Sequence, residues 1–446
     1  MNEGNRYMRD VVLAPILILG TLWALAHPSI GVLMWTWISI MNPHRLSWAL
    51  YAYPVAAFVG GATLVGLLIT RDRRDFFLTA PSVMLLLFTL WMLLTFAFAL
   101  NSEASVDMLT RVMKANLMIF VAMVLLYSRQ HITLLVWVLV GSLSFFGVKG
   151  GVFTLLSGGS YRVWGPSDSF IEGNNEVALA LIMVIPLMYF LRSQYARPWI
   201  RHAFLIAMLL TAVAAIGSQS RGALLAIVGM ALLLWTRVSQ KGLFGVLILV
   251  CAFGIAALMP PEWYARMDTI STFQQDPSAQ GRLGAWRMTW NLATDRFFGG
   301  GFAIYNQPTF SIYAPDAIVF VAHSIYFQVL GEHGFVGLGL FLLMWVVTWY
   351  WAGWLRTKAR RDPETEWASV LGSMVQVSLL GYAIGGAFLS LAYFDLPYYL
   401  LVLVVLARRW VERQWAGKNI DPPPWVRKNS PKRIGRRDAA STARAS

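Results

Sequence analysis

Apolar runs long enough to cross a bilayer recur along most of this 446-residue chain, and they limit its folding options more than any motif does. In hydrocarbon every backbone amide must be satisfied by the protein itself, which leaves helices and closed barrels. Runs approaching about 20 residues fit a membrane-crossing helix, whereas barrel strands are shorter and alternate in polarity. The expected fold class is therefore all-α, a polytopic integral membrane bundle. A hydrophobic share of 57% with 13% charged residues excludes an ordinary soluble domain.

Hydropathy and charge together place spans near 11–41, 53–70, 80–99, 111–127, 131–150, 174–191, 199–216, 222–236, 241–258, 335–354, 366–388 and 392–409, twelve in all. In this layout 11–41 is a single crossing broken at His27-Pro28, and no A-x-A-like exit marks it as a cleaved signal. The basic turns then share one face: Arg71, Arg73 and Arg74; Arg129; Arg192, Arg197 and Arg201; Arg237 and Lys241; Arg356, Lys358, Arg360 and Arg361. The positive-inside rule makes that face cytoplasmic and puts both termini on it. Residues 1–258 are then the first nine spans, and 259–322 a loop region with short helices on the translocated side. Residues 323–410 hold a histidine-bearing helix start and the last three spans, and 411–446 a basic, disordered cytoplasmic tail.

Several functions drop out. The one cysteine, Cys251, lies in an apolar run, so neither an internal disulfide nor a thiolate metal cluster is expected. The net charge of +14 is concentrated largely in turns and tail, as orientation signals are, so anionic lipid headgroups rather than nucleic acid are the expected partner. There is no P-loop and no internal repeat.

The layout leaves Arg162, Arg221, Arg266, Arg282 and Arg287 on the translocated side, where basic residues are normally scarce. Arg221 opens a span at its outer N-terminus, where unpaired N–H groups and the helix dipole already favour an anion, and Gly222 permits close approach. An arginine snorkelling to headgroups is the alternative reading. Arg282, Trp286 and Trp290 recur every four residues and share a helix face, either beside a ligand or resting on the membrane interface. Arg287 points away from Arg282. Of the six histidines, His27, His44, His131 and His202 fall at breaks, loops or cytoplasmic turns. His323 precedes a helix start on the outer side, and imidazole exchanges a proton near neutral pH. His333 lies about 80° around an ideal helix from His323, which disfavours a jointly held metal.

His323-Ser324, nine residues, Gly334, two residues and Gly337 together resemble the outer-face histidine motif of the bacterial O-antigen ligases. Arg221 to Leu225 is similar to that family's R-x-x-x-L motif, and the Gly165 to Glu176 stretch and the large excursion before the tenth span also agree. The resemblance covers most of the chain between about residues 80 and 400. It implies a GT-C-like bundle of about twelve helices in a Gram-negative inner membrane, with its active site in the periplasm. The family moves a finished glycan from a polyprenyl pyrophosphate onto lipid A-core. Undecaprenyl-pyrophosphate-linked glycan and lipid A-core are therefore the expected substrates, with no cofactor and no metal.

That chemistry suits the residues. A pyrophosphate leaving group is already a stable anion and needs positive charge rather than a carboxylic acid. Arginine forks match its oxygens bidentately. The resemblance thus implies His323 as general base, Arg221 and Arg282 on the pyrophosphate, and Arg162 and Arg287 as secondary anion contacts. Asn174, Asn175 and Glu176 would orient sugars or cap a helix, with Ser324 and His333 as further substrate contacts. Three rival readings share the outer arginines. O-antigen polymerases carry paired R-x10-G motifs, of which this chain offers one, Arg162 to Gly173. Protein O-oligosaccharyltransferases differ in an acceptor surface the sequence does not spell out. A lipid-linked glycan transporter would spread its charges along a path through the membrane.

Overall fold

The computed structural model describes residues 3–47, 49–70, 75, 78–237, 241, 242, 245, 261, 264 and 277–417. Arg71, Arg73, Arg74, Cys251, Arg266, most of the span expected at 241–258 and the tail after Gly417 lie outside the described residues. Among those described, the regular structure is helical: α1 (Glu3–Ala26), α2 (Pro28–Met41), α3 (Val55–Ile69), α4 (Ala80–Phe96), α5 (Ser102–Leu125), α6 (Arg129–Leu156) and α7 (Asn174–Ser193). The order continues with α8 (Pro198–Gly217), α9 (Arg221–Arg237), α10 (Pro277–Asp295), α11 (Gln307–Tyr313), α12 (Ile325–Lys358), α13 (Glu366–Gly386) and α14 (Asp395–Trp415). Seven of these are long and apolar enough to cross a membrane, and α2, α3, α4 and α9 are shorter apolar helices.

Local signals set the helix ends. Asn101 accepts the amide of Ala104 to start α5, and Ser128 accepts that of His131 to start α6. Helices α7 and α13 form the interior, each with 72% of its most apolar window buried, which is why both are apolar on every side. Most of α14 is buried with them. Gly147 and Gly151 of α6 leave no room for a side chain against Thr211 and the Leu210 carbonyl, so α8 packs backbone to backbone on α6. That contact fixes where α8 delivers the turn at 218–221.

The single crossing expected at 11–41 is corrected by the structure. Pro28 sits at the first position of a new helix rather than in a kink, and the chain reverses there. Gly20 packs on Met34 and Ala24 on Gly31, Arg9 donates to the Leu46 carbonyl at 3.2 Å, and Asp10 accepts from Ser47. Each pair is centred close to Pro28, so α1 and α2 are antiparallel. Gly66 of α3 closes on the carbonyls of Ala24 and Leu25.

This reversal decides which groups share an end of the bundle. At one end, Arg413 pairs with Asp75, Arg409 donates to the Met123 carbonyl at 2.6 Å, Arg129 lies over Trp367 and Arg192 donates to the Arg201 carbonyl. This is the basic end. At the other, Arg45 pairs with Asp168 at 3.3 Å and Tyr51 donates to the same carboxylate, tying the α2–α3 loop to the loop before α7. The outer end of α1 lies at this loop end, whereas α14 finishes at the basic end. Among the described residues the first helix thus begins, and the last helix ends, at opposite ends of the bundle.

Candidate active site

Helix α12 starts earlier than the hydropathy expectation of 335 and is broken at Gly334, whose φ of 69° and ψ of −174° are not helical. Its first segment, 325–333, is short and needs an external cap. The glycine run at 299–301 supplies one: the amide of Gly300 donates to the Gly331 carbonyl and that of Gly301 to the Glu332 carbonyl, both at 2.9 Å. A Cβ on Gly334 would stand 2.4 Å from the Phe297 carbonyl oxygen, so the glycine is a steric requirement of this crossing.

His323 sits immediately before that segment, with a left-handed φ of 43°. Such a conformation costs a non-glycine residue about 1–2 kcal/mol and persists only where the surroundings impose it. They do. Trp286 of α10 donates its indole N–H to the Ala322 carbonyl at 2.7 Å, and its ring stacks on Phe327 with centroids 4.8 Å apart. Phe320 packs against the imidazole at 5.4 Å. Buried Ser324 is the N-cap residue, and its carbonyl accepts the amide of Gln328.

Two charged side chains act on this imidazole. Glu176, in the first turn of α7, brings a carboxylate oxygen to 4.0 Å from Nδ1. Arg282 of α10 exerts its charge on both His323 and Glu176. Burial, and then the Arg282 guanidinium, push the imidazole down to about 4, so the ring is neutral at neutral pH and holds a lone pair ready for a proton. Nδ1 itself is buried without a hydrogen bond, while the ring keeps partial exposure elsewhere.

The turn at 218–221 joins the same assembly. Asn174, the first residue of α7, donates to the Ser218 carbonyl at 2.8 Å. Gln219 takes a left-handed φ of 58°, accepts from Arg162 at 3.3 Å and donates to the Gly159 carbonyl. Ser220 accepts the amide of Ala223, and Arg221 follows it as the first residue of α9. Asn174 and Glu176 thereby link the N-terminus of α7 to those of α9 and α12, so three positive helix ends gather at one end of the bundle, with Arg282 acting on the same histidine.

Asn175 is half-buried in the first turn of α7, and Arg287 is exposed on α10. His333 is inside the bundle, fully buried: Nδ1 meets Thr95 at 2.7 Å, Nε2 meets the Tyr393 hydroxyl at 2.8 Å, and Tyr393 also donates to Glu332. The structure does not bring it to His323. Trp286 is turned inward as the clamp on the histidine turn, while Trp290 is exposed, edge-on to Phe335. The Arg162-x10-Gly173 spacing has a local cause at its glycine, because a Cβ there would lie 2.1 Å from a Glu176 carboxylate oxygen. Sequence reasoning missed the Trp286 clamp and the capping role of Gly299–Gly301. A tryptophan 37 residues before a histidine carries no local signal of contact, although three consecutive glycines do announce a close backbone approach. Among the described residues no group of three or more His, Cys, Asp and Glu side chains is placed to hold a metal ion.

Comparison with known proteins divides the chain in two. Residues 206–342 match the O-antigen ligase family, and residues 8–196 match a family of unknown function, DUF5935. No curated protein matches the chain. His323, Arg221, Arg282 and the Gly334 break lie in the first match, whereas Arg162, Asn174 and Glu176 lie in the second.

Proposed function

We propose, from the match of residues 206–342 to the O-antigen ligase family, that the chain is a glycosyltransferase of the ligase or polymerase type and that it joins a lipid-linked glycan to lipid A-core. The donor is glycan on undecaprenyl pyrophosphate, bound at the mouth formed by α7, α9, α10 and α12. The observation that carries this reading is the neutral, clamped imidazole of His323 beside Arg282 and the linked helix N-termini. The basic end reads as cytoplasmic by the positive-inside rule, which makes the mouth periplasmic in an inner membrane.

In the reaction, the acceptor hydroxyl oxygen forms a bond to the anomeric carbon as the bond from that carbon to the pyrophosphate oxygen breaks. The hydroxyl proton passes to His323. The electron pair leaves with undecaprenyl pyrophosphate, whose added charge Arg221 and Arg282 stabilise, with Arg162 and Arg287 further out. One displacement inverts the anomeric centre. No step calls for a metal or nucleotide.

The test is reconstitution in proteoliposomes with undecaprenyl-pyrophosphate glycan and three separate acceptors: lipid A-core, a serine-rich peptide, or additional donor. Growth of lipid A-core supports the proposal. Growth of the peptide or of the donor assigns the activity to protein glycosylation or to polymerisation. Donor passing between leaflets with no product formed assigns it to transport.

A further inference from the structure

We infer that Glu176 is the positioning residue of His323, holding the imidazole through Nδ1 so that Nε2 faces the acceptor hydroxyl. This rests on the base assignment above and adds a residue from the segment matched to a family of unknown function. Three observations carry it. The Glu176 carboxylate is 4.0 Å from Nδ1, too long for a hydrogen bond but one side-chain adjustment from it. Catalytic hydrogen bonds are often long before substrate arrives and tighten in the complex. Nδ1 is buried without another hydrogen bond, although a buried ring N–H ordinarily has one. Finally, Gly173 has no Cβ because the carboxylate occupies that position, so the turn before α7 is shaped around Glu176.

The chemistry follows from a neutral imidazole having one donor and one acceptor. With Nδ1–H donated to Glu176, the lone pair lies on Nε2 and accepts the acceptor's proton. The resulting imidazolium is then stabilised by the carboxylate that orients it, the arrangement that recurs wherever a base is held by a third group. The charged groups acting on the ring are Glu176 from α7 and Arg282 from α10, while the neighbouring Phe320 contributes no charge. Arg282 disfavours the imidazolium until the donor's pyrophosphate engages it. Glu176 favours the imidazolium throughout, and base strength therefore rises on donor binding.

The test compares Glu176→Gln, Glu176→Asp and Gly173→Ala with wild-type protein in proteoliposomes, following kcat, donor KM and the pH dependence of kcat/KM. Glutamine preserves size and helix capping but removes the charge. It is expected to lower kcat about 10- to 100-fold, to leave donor KM within roughly 2-fold, and to move the acid limb to lower pH. Aspartate should recover part of the rate. Alanine at Gly173 meets only the flexible end of Glu176, so the protein folds while the carboxylate moves, and the acid limb should shift here too. Wild-type kcat and pH profile in Glu176→Gln overturn the inference, as does an equal loss in kcat and donor affinity with an unmoved profile. His323→Ala separates the two levels. If it is inactive while Glu176→Gln behaves as wild type, only the Glu176 role fails; if it is fully active, the base itself is wrong.

Discussion

Replacing Gly334 by alanine should disable transfer while most of the bundle stays helical. At φ 69° and ψ −174° the residue occupies a region essentially reserved for glycine, which costs alanine about 1–3 kcal/mol. The new methyl would also stand 2.4 Å from the Phe297 carbonyl oxygen, a backbone atom that cannot swing aside. Overpacking of that kind adds roughly another 1–3 kcal/mol. Relief requires the 297–301 loop to retreat, which releases the caps on Gly331 and Glu332 and lets the 325–333 segment drift with His323 at its head. A displacement near 1 Å at a reacting group lowers rates about 100-fold. Gly339, five residues on in the same helix, is the control: nothing lies within 4 Å of a Cβ there, and alanine should stabilise by about 0.5–1 kcal/mol. Thermal unfolding in detergent and glycan transfer in proteoliposomes read the two variants side by side. Wild-type melting and transfer in Gly334→Ala would refute the role of the break.

Removing the positive charge in Arg282→Gln should let the His323 pKa rise above about 4 while burial still holds it below the free value, moving the acid limb of kcat/KM to higher pH, and should raise donor KM; a pH–rate series checks both. Arg221→Lys keeps the charge but loses the fork, and an activity loss of about 10-fold or more in steady-state transfer is expected if the pyrophosphate contact is bidentate. Trp286→Phe keeps the ring against Phe327 but strips the donor from the Ala322 carbonyl, a loss of about 1–3 kcal/mol for a buried acceptor, so kcat should fall while donor binding, measured separately, persists.

The helices from α3 to α9, and α13 and α14, were legible because each contains an apolar run bounded by basic turns or polar caps. The α1–α2 reversal was not, since a His-Pro step reads equally as a kink or as the start of a new helix. The distinguishing signal lay in Gly20, Ala24 and Gly31, small residues that let two antiparallel backbones approach. The histidine motif was legible as a pattern but not as a mechanism: spacing reveals Gly334 and Gly337, not that Gly334 lets a half-helix stop against a glycine loop. Arg282 was found as a charge on the right face of its helix. Its meeting with Glu176, more than a hundred residues earlier, depends on how α7 and α10 pack, and no periodicity encodes that. His333 is a similar case, because about three helix turns take the chain from His323 to a side chain sealed inside the bundle.

The most direct measurement is single-turnover glycan transfer by His323→Ala in proteoliposomes, with donor binding measured in parallel. If the imidazole takes the acceptor's proton, the variant binds undecaprenyl-pyrophosphate glycan with near wild-type affinity and transfers it at least about 100-fold more slowly. Transfer at the wild-type rate by a correctly inserted variant would contradict the account.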